Sequence, residues 1–369
     1  MHHEHHRSTD PRLVVALGSA ALLGALALQA GAAARRAERD NPPRGRFVTA
    51  AGTRLHYLEA GPGDAPPVVL LHGNGVRAED WVASGVFGLL ARRHRVIAFD
   101  RPGFGHSERP RDRIWHATNQ ADAFAEAFGR LGLHRPVVVG HSWGTLPAVA
   151  LALDHPGSVS GLVLVAGYYY PKARADVVLF SPPAVPVLGD VLRYTVGPLA
   201  GRAIAPGMVR QMFAPLPVPP GFDAAVPKAM MIRPSQLRAS AEEAATMTPG
   251  AAAAMERYAD LSRLKVAILA GTEDRVVDPD RHAVPLHHDV PGSTLHLVPG
   301  LGHMLHHGAP ELVAEAVEEV GGTATAPVVG GCRSRPDRGR ASGRRRAGDG
   351  LLPILHTIGD RGGPLLTRA

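Results

Sequence analysis

Cysteine is almost missing from this chain: Cys332 is the single thiol in 369 residues. One thiol cannot build an intrachain disulfide framework or a cysteine-based metal site. A basic excess is missing as well once the formal charge of +7 is divided along the sequence. Residues 321–369 carry nine Arg against three Asp, and residues 1–46 carry seven Arg against four acids, which leaves residues 47–320 at about −2. The expected folded part therefore has no cationic surplus with which to hold a phosphate backbone, and nucleic acid is not an expected partner. With 45% hydrophobic and 20% charged residues the chain also lacks the bias of a disordered protein. Its length suits one core with appendages.

What is present begins with Leu13 to Ala34, a run of Leu, Val, Ala and Gly interrupted only by Ser19 and Gln29 and flanked by Arg12, Arg35 and Arg36. It is long enough to cross a bilayer as a helix, so a single N-terminal anchor through residues 13–34 is expected. Two alternatives stay open. Ala30-Gly31-Ala32 also suits a signal peptidase, which would leave a secreted or periplasmic protein, and a buried soluble helix has the same composition. More Arg follows the run than precedes it, which favours a cytoplasmic downstream domain. His2, His3, His5 and His6 surround Glu4, but a terminal tract has no scaffold to fix metal geometry.

From Phe47 onward short apolar runs alternate with longer helical ones, the rhythm of a parallel sheet with crossover helices. Phe47–Thr49 and Arg54–Glu59 read as a hairpin around Ala51-Gly52. Val68–His72, Val96–Asp100, Val137–Gly140, Leu162–Val165, Val266–Ala270 and Thr294–Val298 read as strands, and Ala121–Leu131, Leu146–Asp154 and Pro310–Val320 as helices. The rhythm stops between about residues 168 and 258, where Pro, Met and Ala dominate, and an inserted helical lid is expected there. Residues 321–369 are Gly-, Arg-, Ser- and Pro-rich without a sustained period and read as a disordered basic tail. RNA binding through Arg344 to Arg346 is the weaker alternative.

Gly140-His141-Ser142-Trp143-Gly144 follows an apolar strand and opens a helical run, the context of a nucleophile elbow. The glycines let the helix backbone pass close to the strand while the serine is raised clear of the sheet. A serine hydroxyl needs a base, and the base needs a carboxylate to hold its tautomer. Asp274 follows the strand ending at Ala270 and His303 follows the strand ending at Val298, so both stand on loops at the same sheet edge as Ser142. His306 and His307 compete with His303, which alone follows the Gly-Leu-Gly turn, and Asp278 and Asp280 compete with Asp274, which is preferred because it lies closest to the strand end. Glu273 reads as solvated. Tyr168, Tyr169 and Tyr170 either bind substrate or pack the lid on the core.

These segments, with His72-Gly73-Asn74-Gly75 and Asp100-Arg101-Pro102-Gly103-Phe104-Gly105-His106-Ser107, make residues 47–320 resemble the α/β-hydrolase family. The resemblance implies an α/β fold, a mostly parallel twisted sheet flanked by helices, with a lid inserted at about 168–258. It also implies an oxyanion hole from the backbone N–H groups of Asn74 and Trp143, while His72 and Asp100 read as structural. The implied activity is that of a serine hydrolase, an esterase first, with Ser142, His303 and Asp274 as triad, while a lactone, a thioester or a carbon–carbon bond next to a ketone stays open as the target. The Pro, Leu, Val, Met and Phe content of the lid points to an apolar acyl or alcohol group, and nothing in the chain suggests a metal, nucleotide or flavin. The elbow is similar to that of haloalkane dehalogenases, but those enzymes and the related epoxide hydrolases use an aspartate nucleophile where Ser142 stands. They remain an alternative, as does a catalytically silent binding scaffold of the same fold.

Overall fold

The computed structural model describes residues 10–172 and 180–322. The His-rich start and the tail beyond Gly322 lie outside the described residues. Eight strands, β1 (Arg46–Ala50), β2 (Thr53–Ala60), β3 (Pro67–Leu71), β4 (Arg95–Phe99), β5 (Val137–His141), β6 (Gly161–Val165), β7 (Lys265–Gly271) and β8 (Thr294–Val298), form one sheet. Their order is β1-β2-β4-β3-β5-β6-β7-β8. The hairpin β1–β2 and the β2–β4 pair are antiparallel; every other pair is parallel. The predicted α/β class and mostly parallel sheet are therefore what the chain adopts.

The strands are rich in Val, Ile and Leu because both sheet faces are covered. Alternation along each strand divides the core in two. Val69, Leu71, Ile97, Phe99 and Val138 face helices 117–131 and 145–154. Val68, Leu70, Val96, Ala98 and Val139 face helices 86–90 and 310–321. Helix 117–131 buries Ala121, Phe124 and Phe128 at helical spacing and stops at Gly132, whose φ of 65° suits a residue without Cβ. Truncating Phe124 to Ala would cost about 3–5 kcal/mol.

Four helices exceed their predicted spans, two of them by more than one residue. Helix 117–131 starts before Ala121 because Gln120, though polar, is buried and hydrogen-bonded to the Trp115 carbonyl oxygen and the Glu243 carboxylate. The N-terminal helix runs from Pro11 to Asp40, beyond Ala34, because Ala37 is buried and Glu38 meets Arg233 at 2.7 Å. It is long and apolar enough to cross a membrane.

Between β6 and β7 the described residues form helices Leu188–Tyr194, Val196–Phe213, Phe222–Ala225, Lys228–Met231 and Pro234–Met255. This insert stands at the carboxyl ends of the parallel strands, where loops carry side chains able to do chemistry.

Candidate active site

At the end of β5 the chain turns through Ser142 with φ 52°, a left-handed conformation that a serine adopts only when its surroundings enforce it. Two close approaches supply that enforcement. A Cβ on Gly140 would lie 2.6 Å from the Gly144 carbonyl oxygen, and one on Gly144 would collide with the carbonyl oxygens of Leu71 and His72. Glycine is required at both positions, and the tight turn lifts Ser142 above the sheet edge.

Ser142 Oγ lies 2.9 Å from His303 Nε2, and His303 Nδ1 lies 2.8 Å from Asp274 Oδ2. Asp274 Oδ1 accepts the backbone N–H groups of Val276 and Val277, both at 2.8 Å, so the carboxylate is held from two sides. His303 and Asp274 are buried while Ser142 keeps partial exposure. The serine can give its proton to the imidazole, and the carboxylate can hold the imidazolium that results.

The competing residues are placed elsewhere. Asp278 caps the turn at 279–281, and Asp278 and Glu273 are exposed. His306 and His307 both bind Asp80, through Nε2 at 2.9 and 2.8 Å. Burial works to raise the Asp80 pKa, but the two histidines outweigh it and hold the carboxylate ionised. His141 reaches the His303 carbonyl oxygen at 3.0 Å, and burial, with His306 and His303 nearby, pushes its pKa well down, so it stays neutral. Asp80, His141 and His306 form a buried group of potential metal donors. Asp80 is nevertheless already engaged by two N–H donors, and the group lies behind His303 as a support.

The His72–Gly75 loop passes over the elbow, since a Cβ on Gly73 would sit 3.1 Å from that of Ser142. His72 is fully buried: its Nδ1 donates to the Gly73 carbonyl oxygen at 2.7 Å and its Nε2 accepts the Arg101 N–H at 2.9 Å. Burial, then the Arg101 charge, pushes its pKa down to about 3. Asp100 binds His56 at 2.7 Å and accepts the backbone N–H groups of Ala78 and His106. Burial opposes its ionisation, yet the His56 contact keeps its pKa at about 2. Tyr169 is buried in the core, Tyr170 donates to Asp289 at 2.6 Å and Tyr168 to the Lys172 carbonyl oxygen at 3.1 Å.

Sequence reading passed over the group that ties these parts together. Arg101 donates to the carbonyl oxygens of His72 (2.6 Å) and Gly73 (2.9 Å), pairs with the Glu243 carboxylate through two nitrogens, and stacks over the Trp143 ring at 4.7 Å. Trp143 Nε1 donates to the Glu243 carbonyl oxygen at 3.0 Å. The Asn74 side chain donates to Ser240 O at 3.1 Å, and Gln236 to Gly75 O at 3.1 Å. Helix 234–255 of the insert is thereby fixed on the loop above Ser142. Arg101 lay inside a motif already singled out, but nothing local marked Glu243 as its partner.

A family model described as alpha/beta hydrolase fold matches residues 66–310. An uncharacterised protein of Mycobacterium tuberculosis is 30% identical over 294 residues, covering 75% of this chain and 81% of that protein. A haloalkane dehalogenase of Mycobacterium marinum is 32% identical over 193 residues, covering 50% of this chain and 62% of that enzyme. Among solved structures, a thermophilic esterase from Thermogutta terrifontis superposes with a TM-score of 0.59 at 21% identity, covering 74% of this chain and 96% of the esterase. Together with the sheet order and the turn at Ser142, the match over residues 66–310 means that this chain belongs to the α/β-hydrolase family.

Proposed function

We propose that the chain is a serine hydrolase that cleaves a carboxylic ester of an apolar small molecule through an acyl-enzyme. The observation that carries the reading is the continuous path Ser142 Oγ to His303 Nε2 at 2.9 Å and His303 Nδ1 to Asp274 Oδ2 at 2.8 Å. Ser142 attacks the acyl carbonyl as His303 takes its proton; His303 then gives that proton to the leaving alcohol, and water cleaves the acyl-enzyme by the same route. The backbone N–H groups of Asn74 and Trp143 are assigned to the oxyanion, where losing one donor costs on the order of 3 kcal/mol. Arg101 and Glu243 position both, without touching substrate.

The apolar preference is supported by the Pro, Leu, Val, Met and Phe content of the insert. Dehalogenation, the activity of one relative, is disfavoured by the nucleophile: Ser142 would form an alkyl ether, which water cleaves far less readily than an ester.

Labelling of the full chain by a fluorophosphonate tests this reading. Wild type is expected to label, and Ser142→Ala and His303→Ala are each expected to abolish it. A folded wild-type protein that does not label would leave the binding-scaffold alternative standing.

A further inference from the structure

The insert leaves several large apolar side chains open to its surroundings. Val187, Val191, Val196, Leu199, Ile204 and Met208 are 43–76% exposed. The core does not account for them, because helix 196–213 buries Pro198, Ala205, Val209 and Phe213 instead. Exposed Arg202 and Arg210 stand on the same helix. Large apolar side chains left exposed together with basic residues call for a covering partner.

The N-terminal helix identifies that partner. It packs against helices 188–194, 228–231 and 234–255 of the insert. Its inward stripe is made of small residues: Ala30 and Ala37 are buried, and Ala27, Gly31 and Ala34 half-buried. The contact starts at Leu26, inside the apolar run that ends at Ala34. Residues 13–25, all of them exposed, extend only about 20 Å as a helix. That falls short of a hydrocarbon core about 30 Å thick. The remaining nine residues, 26–34, add about 13 Å, and they lie against the insert. The run can therefore occupy a bilayer over its full length only if the neighbouring face of the insert enters the same leaflet.

We propose that the insert face formed by residues 185–208 is a bilayer-docking surface, immersed beside helix 11–40, and that the site at Ser142 draws a lipid-dissolved acyl ester from the membrane. The choice of substrate rests on the serine-hydrolase reading; the docking does not. Anionic headgroups are the expected contacts of Arg202 and Arg210.

The full chain with Cys332→Ser and one added cysteine, Leu23→Cys, Leu199→Cys or Glu311→Cys, would carry an environment-sensitive fluorophore in vesicles of phosphatidylcholine and phosphatidylglycerol with brominated acyl chains. Loss of emission is expected at positions 23 and 199 and none at 311. In the same vesicles, Leu199→Ser with Ile204→Ser should slow hydrolysis of a vesicle-borne long-chain ester about tenfold while a water-soluble short ester is turned over as before. Quenching at 23 without quenching at 199, quenching at neither, or equal slowing of both esters would overturn the proposal. Fluorophosphonate labelling of the same samples reports separately on Ser142, so an inactive site and an undocked insert give different results.

Discussion

Helix 234–255 and helix 196–213 belong to the same insert but meet the face that carries Ser142 through different interactions. The first is fastened by directional polar bonds: Gln236 to Gly75, Asn74 to Ser240, Trp143 to the Glu243 carbonyl oxygen and Arg101 to its carboxylate. The second buries Val209 and Phe213 in an apolar cluster and leaves Leu199, Ile204 and Met208 in the open. Polar bonds fix a position to a fraction of an ångström, while apolar contact is non-directional and tolerates displacement. The insert thus combines a fixed wall above Ser142 with an arm whose outer side chains include exposed apolar residues.

The comparison breaks most severely at Glu243. Glu243→Ala leaves the Arg101 guanidinium buried and uncompensated, for an expected loss of about 3–5 kcal/mol in denaturant titration. An unchanged midpoint would mean that the wall is held by packing alone.

Acid should loosen the same wall. His72 is neutral when folded, with a pKa of about 3 against an ordinary 6.5, so its contribution is complete above pH 6.5 and is lost as pH falls toward 3. The unfolded state binds the extra proton throughout that window, which gives this one group a slope of at most about 1.4 kcal/mol per pH unit. His72→Gln should flatten the profile between those limits, and parallel profiles for variant and wild type would refute the assignment.

A smaller effect is expected from Asn74→Ala, which removes one tie to helix 234–255 and should cost about 0.5–1.5 kcal/mol while its backbone N–H survives. Activity on a short ester then reads how far the loop depends on that tie. On the arm, Leu199→Ser should change stability in detergent by no more than about 0.5 kcal/mol, since the side chain is half exposed. A larger loss would show that this face packs on protein.

Much of the fold is legible in the sequence. The strands were found to within about a residue because the alternation of Val and Leu runs is local. Ser142, Asp274 and His303 were legible because each follows a strand, and parallel strands deliver their carboxyl ends to one edge. The assignments of Asn74 and Trp143 came from family resemblance, since a backbone N–H leaves no mark on residue type. The start of helix 117–131 is not legible in the sequence because Thr118, Asn119 and Gln120 interrupt the apolar period, although Gln120 is buried on polar partners.

The sequence by itself determined the α/β alternation, the apolar N-terminal run and the three residues that meet at Ser142, because each is written as a local pattern of hydrophobicity or turn chemistry. Tertiary structure decided that Arg101 and Glu243, 142 positions apart, close the wall over Ser142, and that the N-terminal helix lies along the insert. A buried pair of opposite charges and a stripe of small residues against another helix have no period in the sequence. Only the folded chain brings their partners within reach.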